Sequence, residues 1–465
     1  MDTLAPFPRL RFPWLCSVSI ALLLLAPLGL HAESQKIETW RSSAGVSVLF
    51  IAAPDIPMMD LAIDIDAGSR WDPPGLEGLA SITTDLSGRG LKATERQPSL
   101  SENELERALG ELAIQRSSSV TPDRTSLRYR FLIDRPVRQR AALLAGRQLA
   151  HPLFQPETFE RERARNQSTL RESLTRPQTL AVRALWASMY PDHPYGRQET
   201  ESSLAAIGIE QIRAFHQRNW RPERMQISIV GALTLDEARA FVEDLLEPMS
   251  RESAGPAAQA SALTAEWPFM ISPIRTPLAS TQTLAHPASQ SHIWLGLPVL
   301  ARSELEDYFP MLVANHILGG GGFTSRLTRE VREKRGLSYS VFSALAPRAQ
   351  SGPLLIGLQT QREKSAQALQ VVRRTLEEFL AKGPTEDELV AAKKNLMGGF
   401  ALRLDTNRKL LDTLSEIGFY RLPLNYLDQW TEAVAAVSAE DIQRVLQKRV
   451  TLERLSTVVV AGAAR

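Results

Sequence analysis

EQIRAFHQRNWRPERMQISIVG, residues Glu210–Gly231, and EDIQRVLQKRVTLERLSTVVVA, residues Glu440–Ala461, align without a gap 230 positions apart. Six of the 22 positions are identical: Glu210/Glu440, Ile212/Ile442, Gln217/Gln447, Glu223/Glu453, Arg224/Arg454 and Val230/Val460. Each copy reads as a helix, a short turn carrying Glu-Arg, and an apolar strand. A shared helix-turn-strand pattern does not by itself require six identities, so the chain is read as a duplication. A period near 230 is too long for a solenoid and indicates two homologous domains. Working outward, residues 33–248 form the first domain and residues 288–465 the second. Residues 249–287, dense in Ala, Ser and Pro, form the linker between them.

The remaining segments fill in each half. Gly45–Ala52 and Asp60–Asp66 read as paired strands separated by Pro54, Asp55 and Pro57, and Leu76–Leu86 as an apolar helix. Thr125–Ile133 alternates as a strand, and helices follow at Val137–Leu149, Pro156–Leu174 and Leu180–Met189. In the second half the order is strand His292–Leu297, helix Leu305–Leu318, strands Leu337–Ala344 and Leu354–Thr360, then helices. Capping boxes at Ser101-x-x-Glu104, Thr385-x-x-Glu388 and Ser438-x-x-Asp441 mark helix starts. Strands without regular βαβ spacing predict an α+β class, each domain a largely antiparallel sheet flanked by helices.

The 465 residues carry 54 basic and 52 acidic side chains, a formal charge of +2. That balance gives no electrostatic case for a nucleic-acid partner. Residues 1–32 read as a signal peptide: Arg9 and Arg11 precede the apolar run Cys16–Leu30, and Leu30-His31-Ala32 offers a cleavage site. The run is shorter than the roughly 20 residues a bilayer span needs, so cleavage is expected over retention as an anchor. No later stretch is long and apolar enough for a span. The expected product is exported, periplasmic if the source is Gram-negative, and free of cysteine, because Cys16 is the one cysteine.

Residues able to carry chemistry are sparse. The histidines beyond residue 32 are His151, His193, His216, His286, His292 and His316, and no two lie within five positions. A helical zinc site needs two imidazoles three or four apart, and neither H-E-x-x-H nor H-x-x-E-H occurs. The run Gly319-Gly320-Gly321-Gly322 follows a helix rather than a strand and lacks the Lys-Ser/Thr of a phosphate loop. It reads as a joint, or as a loop lying close against another backbone. There is no G-x-S-x-G elbow. Arg332-Glu333-Lys334-Arg335-Gly336-Leu337-Ser338-Tyr339 alone reads as a charged helix end, a glycine cap and an incoming strand.

With these residues in place, the stretch Ile317–Leu327 through Val331–Val341 resembles the C-terminal-domain signature of the pitrilysin/insulinase zinc metallopeptidases, relatives of mitochondrial processing peptidase. Ala67-Gly68-Ser69-Arg70, Gly78-Leu79-Ala80, Tyr190–Gly196 and Ile229-Val230-Gly231 resemble that family's N-terminal landmarks, in order. The resemblance implies tandem α+β domains, in agreement with the duplication. It departs at the metal site: where hydrolytic members carry H-x-x-E-H, this chain reads Ser81-Ile82-Thr83-Thr84-Asp85. Ser81 and Asp85 replace both ligand histidines and Thr84 replaces the general base, with Glu172 as the candidate remnant of the third ligand. The chain is therefore expected to bind no metal or other cofactor and not to hydrolyse peptides alone.

What the resemblance retains is an arginine and a tyrosine seven residues apart, Arg332 and Tyr339, which in the family reach the substrate from the second domain. It also assigns substrate binding to Gly319, Gly320, Gly321 and Gly322. The expected function is a non-catalytic subunit of an exported heteromeric metallopeptidase. Its partner would be a homologous subunit bearing H-x-x-E-H and the zinc, and its substrate a peptide or unfolded polypeptide. The alternatives are a structural or peptide-binding homologue, and a homodimeric exported holdase.

Overall fold

The computed structural model describes residues 36–250, 273–275 and 277–461. The expected signal peptide 1–32 lies outside the described residues, as does most of the expected linker. Two sheets dominate. The first contains β1 (Glu38–Arg41), β2 (Ser47–Ala52), β3 (Met58–Ile65), β6 (Gln115–Val120), β7 (Thr125–Leu132) and β8 (Met225–Gly231), in the order β1-β2-β8-β3-β7-β6. The short pair β4 (Gly90–Leu91) and β5 (Leu100–Ser101) stands apart from it. The second sheet contains β9 (Thr281–Ala285), β10 (Gln290–Leu300), β11 (Ser338–Leu345), β12 (Gly352–Gln361) and β13 (Ser456–Ala461), in the order β11-β12-β10-β13-β9.

The five strands of the second sheet repeat the order of five of the first sheet's six, β1 having no counterpart. In both, an early strand runs parallel to the last one, β2 with β8 and β9 with β13, and every other pairing is antiparallel. This corrects the expectation that Gly45–Ala52 pairs with Asp60–Asp66: β8 inserts between β2 and β3. The reason is burial. All seven residues of β8, Met-Gln-Ile-Ser-Ile-Val-Gly, are buried, and a strand covered on both faces belongs in a sheet centre. The aligned copies adopt equivalent structures: helix Ile209–Asn219, turn Pro222–Arg224 and β8 recur as helix Ala439–Arg449, turn Leu452–Arg454 and β13. All three predicted capping boxes form.

Each half lends a helix to the other's sheet. Helix Asn407–Phe419 packs on β8, β3 and β2 of the first sheet, and helix Pro177–Met189 packs on β13 and β10 of the second. The two helices are themselves 230 positions apart. Leu410, Leu411, Leu414 and Ile417 thereby join Leu49, Ile51, Ala62 and Val230 in one core, while Ala181, Leu185 and Met189 meet Val458 and Val460 in another. A third core lies on the opposite face of the first sheet, beneath Val48, Phe50, Ile63 and Leu127. At the C-terminal ends of the exchanged helices stand Tyr190 and Tyr420. The Tyr190 hydroxyl donates to Ser351 O at 2.9 Å, and that of Tyr420 to Asp123 Oδ2 at 3.0 Å. Each tyrosine thus bonds a hairpin of the other half.

Candidate functional site

In the first half the site is built on helix Leu79–Ser87. Gly78, at φ +104°, turns the chain into this helix, and the buried Asp72 carboxylate accepts the amides of Gly78 at 2.9 Å and Ala80 at 2.8 Å. Burial, outweighing those two bonds, pushes the Asp72 carboxyl up to about 7. Thr84 is buried: its hydroxyl donates to Ala80 O at 2.8 Å and lies 3.3 Å from that of Thr125, so it tidies the helix interior and faces no substrate. Ser81 lines a cavity of about 330 Å³ with Ser69, Glu77, Arg183, Trp186 and Arg348. Asp85 is exposed, one helical turn beyond Ser81.

The carboxylate that approaches Asp85 is Glu162, which corrects the placement of the remnant ligand at Glu172. Glu172 is exposed and pairs with Arg176 at 2.5 Å. Both glutamates belong to helix Pro156–Ser173, but ten residues of helix separate them by about 15 Å along the axis. Glu162 is buried among arginines: Arg161 lies at 3.1 Å, Arg89 at 3.6 Å and Arg165 at 3.6 Å. Arg89 and Arg161 each also hold Glu102 at 2.6 Å. Three guanidinium groups therefore pair with Glu102 and Glu162, and two of them, Arg89 and Arg165, lie near Asp85, whose carboxyl burial nonetheless pushes up. Among the described residues, no group of three His, Cys, Asp or Glu side chains could hold a metal ion. A donor set of hydroxyls and arginine-paired carboxylates does not fit zinc.

In the second half, helix Leu305–Asn315 widens into a π-helical turn, His316–Gly320, a form that often marks functional segments. Gly319 is buried against β11: a Cβ there would lie 2.4 Å from the Ser343 amide nitrogen, so only glycine fits. Gly320 and Gly321 complete the turn, and Gly322, at φ +62°, redirects the chain. Arg326 then anchors the loop, donating to Glu388 at 2.9 and 2.5 Å and to Gly383 O at 2.9 Å. Partial burial would raise the Glu388 carboxyl, but the bonds from Arg326 and the Thr385 amide outweigh it and hold it at about 2.

A second π-helical segment, Thr328–Glu333, presents Arg332. Its guanidinium carbon lies 4.9 Å from the Phe323 ring centre and 5.2 Å from that of Tyr339. Tyr339 is 87% exposed and Phe323 69%. The register between β11 and β12 shifts between Ser338 and Val341, a bulge of the kind that re-aims a side chain at a sheet edge, and Tyr339 sits in it. Arg335, four residues from Tyr339, is tied to its own turn through Glu330 at 2.7 and 2.8 Å. The structure thus brings Arg332 and Tyr339 together and adds Phe323. The sequence signal for Phe323 is an aromatic residue leaving a glycine run.

A cavity of about 530 Å³ elsewhere in the first half contains none of these residues. It is lined by first-half side chains that include Lys92, His151, Arg213, His216 and Trp220. There His216 Nε2 lies 2.9 Å from Leu149 O, and burial pushes its imidazole down to about 4.

Comparison with known proteins finds matches along most of the chain. Residues 47–201 match the family model for insulinase, peptidase family M16, and residues 206–396 match the model for the peptidase M16 inactive domain. An uncharacterized zinc protease of Mycobacterium leprae is 32% identical over 52% of this chain and 51% of its own length. The match to this and a Mycobacterium bovis relative spans about half the length of those proteins. The Helicobacter pylori non-peptidase homolog YmxG is 23% identical over 95% of this chain and 98% of its own. Among solved structures, the peptidase M16 inactive domain from Pseudomonas fluorescens superposes with a TM-score of 0.83 at 28% identity, covering 92% of this chain and 98% of that one. The periplasmic protease PqqL from Escherichia coli shares the fold, with a TM-score of 0.74 at 18% identity over 92% of this chain and 46% of its own.

Proposed function

The chain belongs to the insulinase family of peptidases, M16, and from that premise we propose that it is a non-catalytic member serving as one subunit of an exported zinc metallopeptidase. The observation that carries this reading is the Arg332–Tyr339 pair: Tyr339 is exposed on a bulged strand edge, and the half-buried Arg332 side chain beside it has no ion-pair partner among the described residues. The replacement of the metal site by an arginine cage around Glu162 supports the assignment of hydrolysis to another subunit. In this reading Arg332 fixes the bound polypeptide, and the Tyr339 hydroxyl donates to the oxygen that gains charge at the tetrahedral intermediate. The zinc and the general base would belong to an H-x-x-E-H partner, the metal supplying Lewis-acid chemistry there. Export rests on residues 1–32, and the fold shared with a periplasmic protease supports it. Among the described residues, no helix is long and apolar enough to cross a membrane.

The test is steady-state kinetics on the chain reconstituted with a homologous subunit that bears H-x-x-E-H, with co-elution as the control for assembly. Tyr339→Phe is expected to lower kcat by roughly 10²–10³ without affecting assembly. Arg332→Ala is expected to raise KM and lower kcat together, because a positioning contact acts in both ground and transition states. A Tyr339→Phe complex with unchanged kcat would reject the shared site. It would leave the second reading, a structural or peptide-binding homologue, which is supported by the near full-length match to the H. pylori non-peptidase homolog.

A further inference from the structure

Arg332 differs from the other cations between residues 326 and 335. Arg326 and Arg329 bond Glu388, and Lys334 and Arg335 bond Glu330. The Arg332 side chain alone makes no hydrogen bond or ion pair among the described residues, although two aromatic rings pack against it. Aromatic rings shield a guanidinium from water without occupying its N–H donors. The three groups come from separate segments: Phe323 from the exit of the glycine run, Arg332 from the π-helical turn, and Tyr339 from the bulge that starts β11.

We propose that Phe323, Arg332 and Tyr339 form a carboxylate receptor that selects polypeptide substrates by an acidic group, either an Asp or Glu side chain or a free C-terminus. A partly desolvated, ring-braced guanidinium with an open fork suits two parallel N–H···O⁻ bonds to a planar carboxylate. A peptide carbonyl offers neither the second oxygen nor the charge that each neighbouring cation already has from Glu388 or Glu330. Phe323 is the specificity-determining addition: its ring fixes the guanidinium plane, and the anchored loop from Gly322 to Arg326 fixes Phe323. The inference rests on the substrate-contact reading above for its biological role, but its binding chemistry is measurable without any partner subunit.

The experiment is fluorescence anisotropy on the full chain with three fluorescein-labelled octapeptides of alanine and serine. One carries a central Glu and an amidated C-terminus, one a central Gln and an amidated C-terminus, and one a central Gln and a free C-terminal carboxylate. The expected result is that at least one carboxylate peptide binds ten-fold or more tighter than the neutral one, and which of the two does so identifies the source. Arg332→Gln should abolish that preference, and Arg332→Lys should lose most of it, because an ammonium cannot present the planar fork. Phe323→Leu, which keeps an apolar side chain on the loop, should weaken the preference about two- to five-fold. The assay contains no partner subunit and no turnover, which separates failure here from failure of the oxyanion role. Equal affinity for all three peptides, or an acid preference that survives Arg332→Gln, overturns the proposal.

Discussion

At the scale of residues, the two halves diverge in what their corresponding chemistry faces. Ser81 and Asp85 lie on one face of helix Leu79–Ser87, yet restoring the family's side chains there would not rebuild a metal site, because the nearby charge has already been balanced. Arg89, Arg161 and Arg165 surround Glu162, and each guanidinium within about 4 Å of an incoming cation repels it by on the order of 4 kcal/mol per unit charge in a half-screened site. Ser81→His, Thr84→Glu and Asp85→His together are therefore expected to leave the protein without stoichiometric zinc by metal analysis. Adding Arg89→Ala and Arg165→Ala should allow measurable binding through Glu162. One zinc per chain in the triple variant alone would show that the arginine cage does not exclude the ion.

At the scale of elements, the exchanged helices depend on glycines at their crossing points. Gly296 of β10 lies under Met189, the last residue of helix Pro177–Met189: a Cβ there would come within 2.7 Å of the Met189 sulfur and 3.2 Å of Leu354 O. Gly418 makes the mirrored crossing, where a Cβ would meet the Gln226 side chain at 2.7 Å. Gly296 has no left-handed conformation to maintain, so the effect of Gly296→Ala is purely one of packing. It is expected to destabilise the protein by about 1–3 kcal/mol in chemical denaturation. Met189→Ala in the same chain should recover part of the loss by vacating the contested space. Additive losses in the double variant would show that the two residues do not share the crossing.

At the scale of the molecule, the halves are interlocked rather than adjoined. The described residues fall in one compact unit, and one core contains side chains from both sheets. Asp123, fully buried, accepts from Arg70 at 2.7 Å and Tyr195 within the first half, and from Tyr420 at 3.0 Å and the Ala349 amide at 3.0 Å in the second. Heating is therefore expected to give one cooperative transition, and two resolved transitions would contradict the shared core. Its midpoint should also depend on pH through His216. The folded imidazole titrates near 4, below its unfolded value of about 6.5, so the unfolded chain binds the proton first as pH falls. The stabilisation is complete above pH 6.5 and is lost between there and pH 4, up to about 3 kcal/mol. Calorimetry across that range should find the slope reduced in His216→Gln, and an unaltered slope would assign the acid sensitivity to other groups.

The order of most elements and the duplication were legible in the sequence because each depends on local spacing. The 230-residue offset, the capping boxes at Ser101, Thr385 and Ser438, and the Ser81–Asp85 frame need no knowledge of what packs where. The family resemblance carried Arg332 and Tyr339 for the same reason, since seven residues is a local interval. What required the tertiary structure were the contacts between distant positions. Strand β8 separates β2 from β3, Glu162 rather than Glu172 reaches Asp85, each half covers the other's sheet with a helix, and Phe323 closes on Arg332. Periodicity reports which face of an element is apolar but not which neighbour covers it. That choice is made by burial and charge pairing over the whole chain, and here it joined residues 77 positions apart at the lost metal site and more than 290 apart at Asp123 and Tyr420.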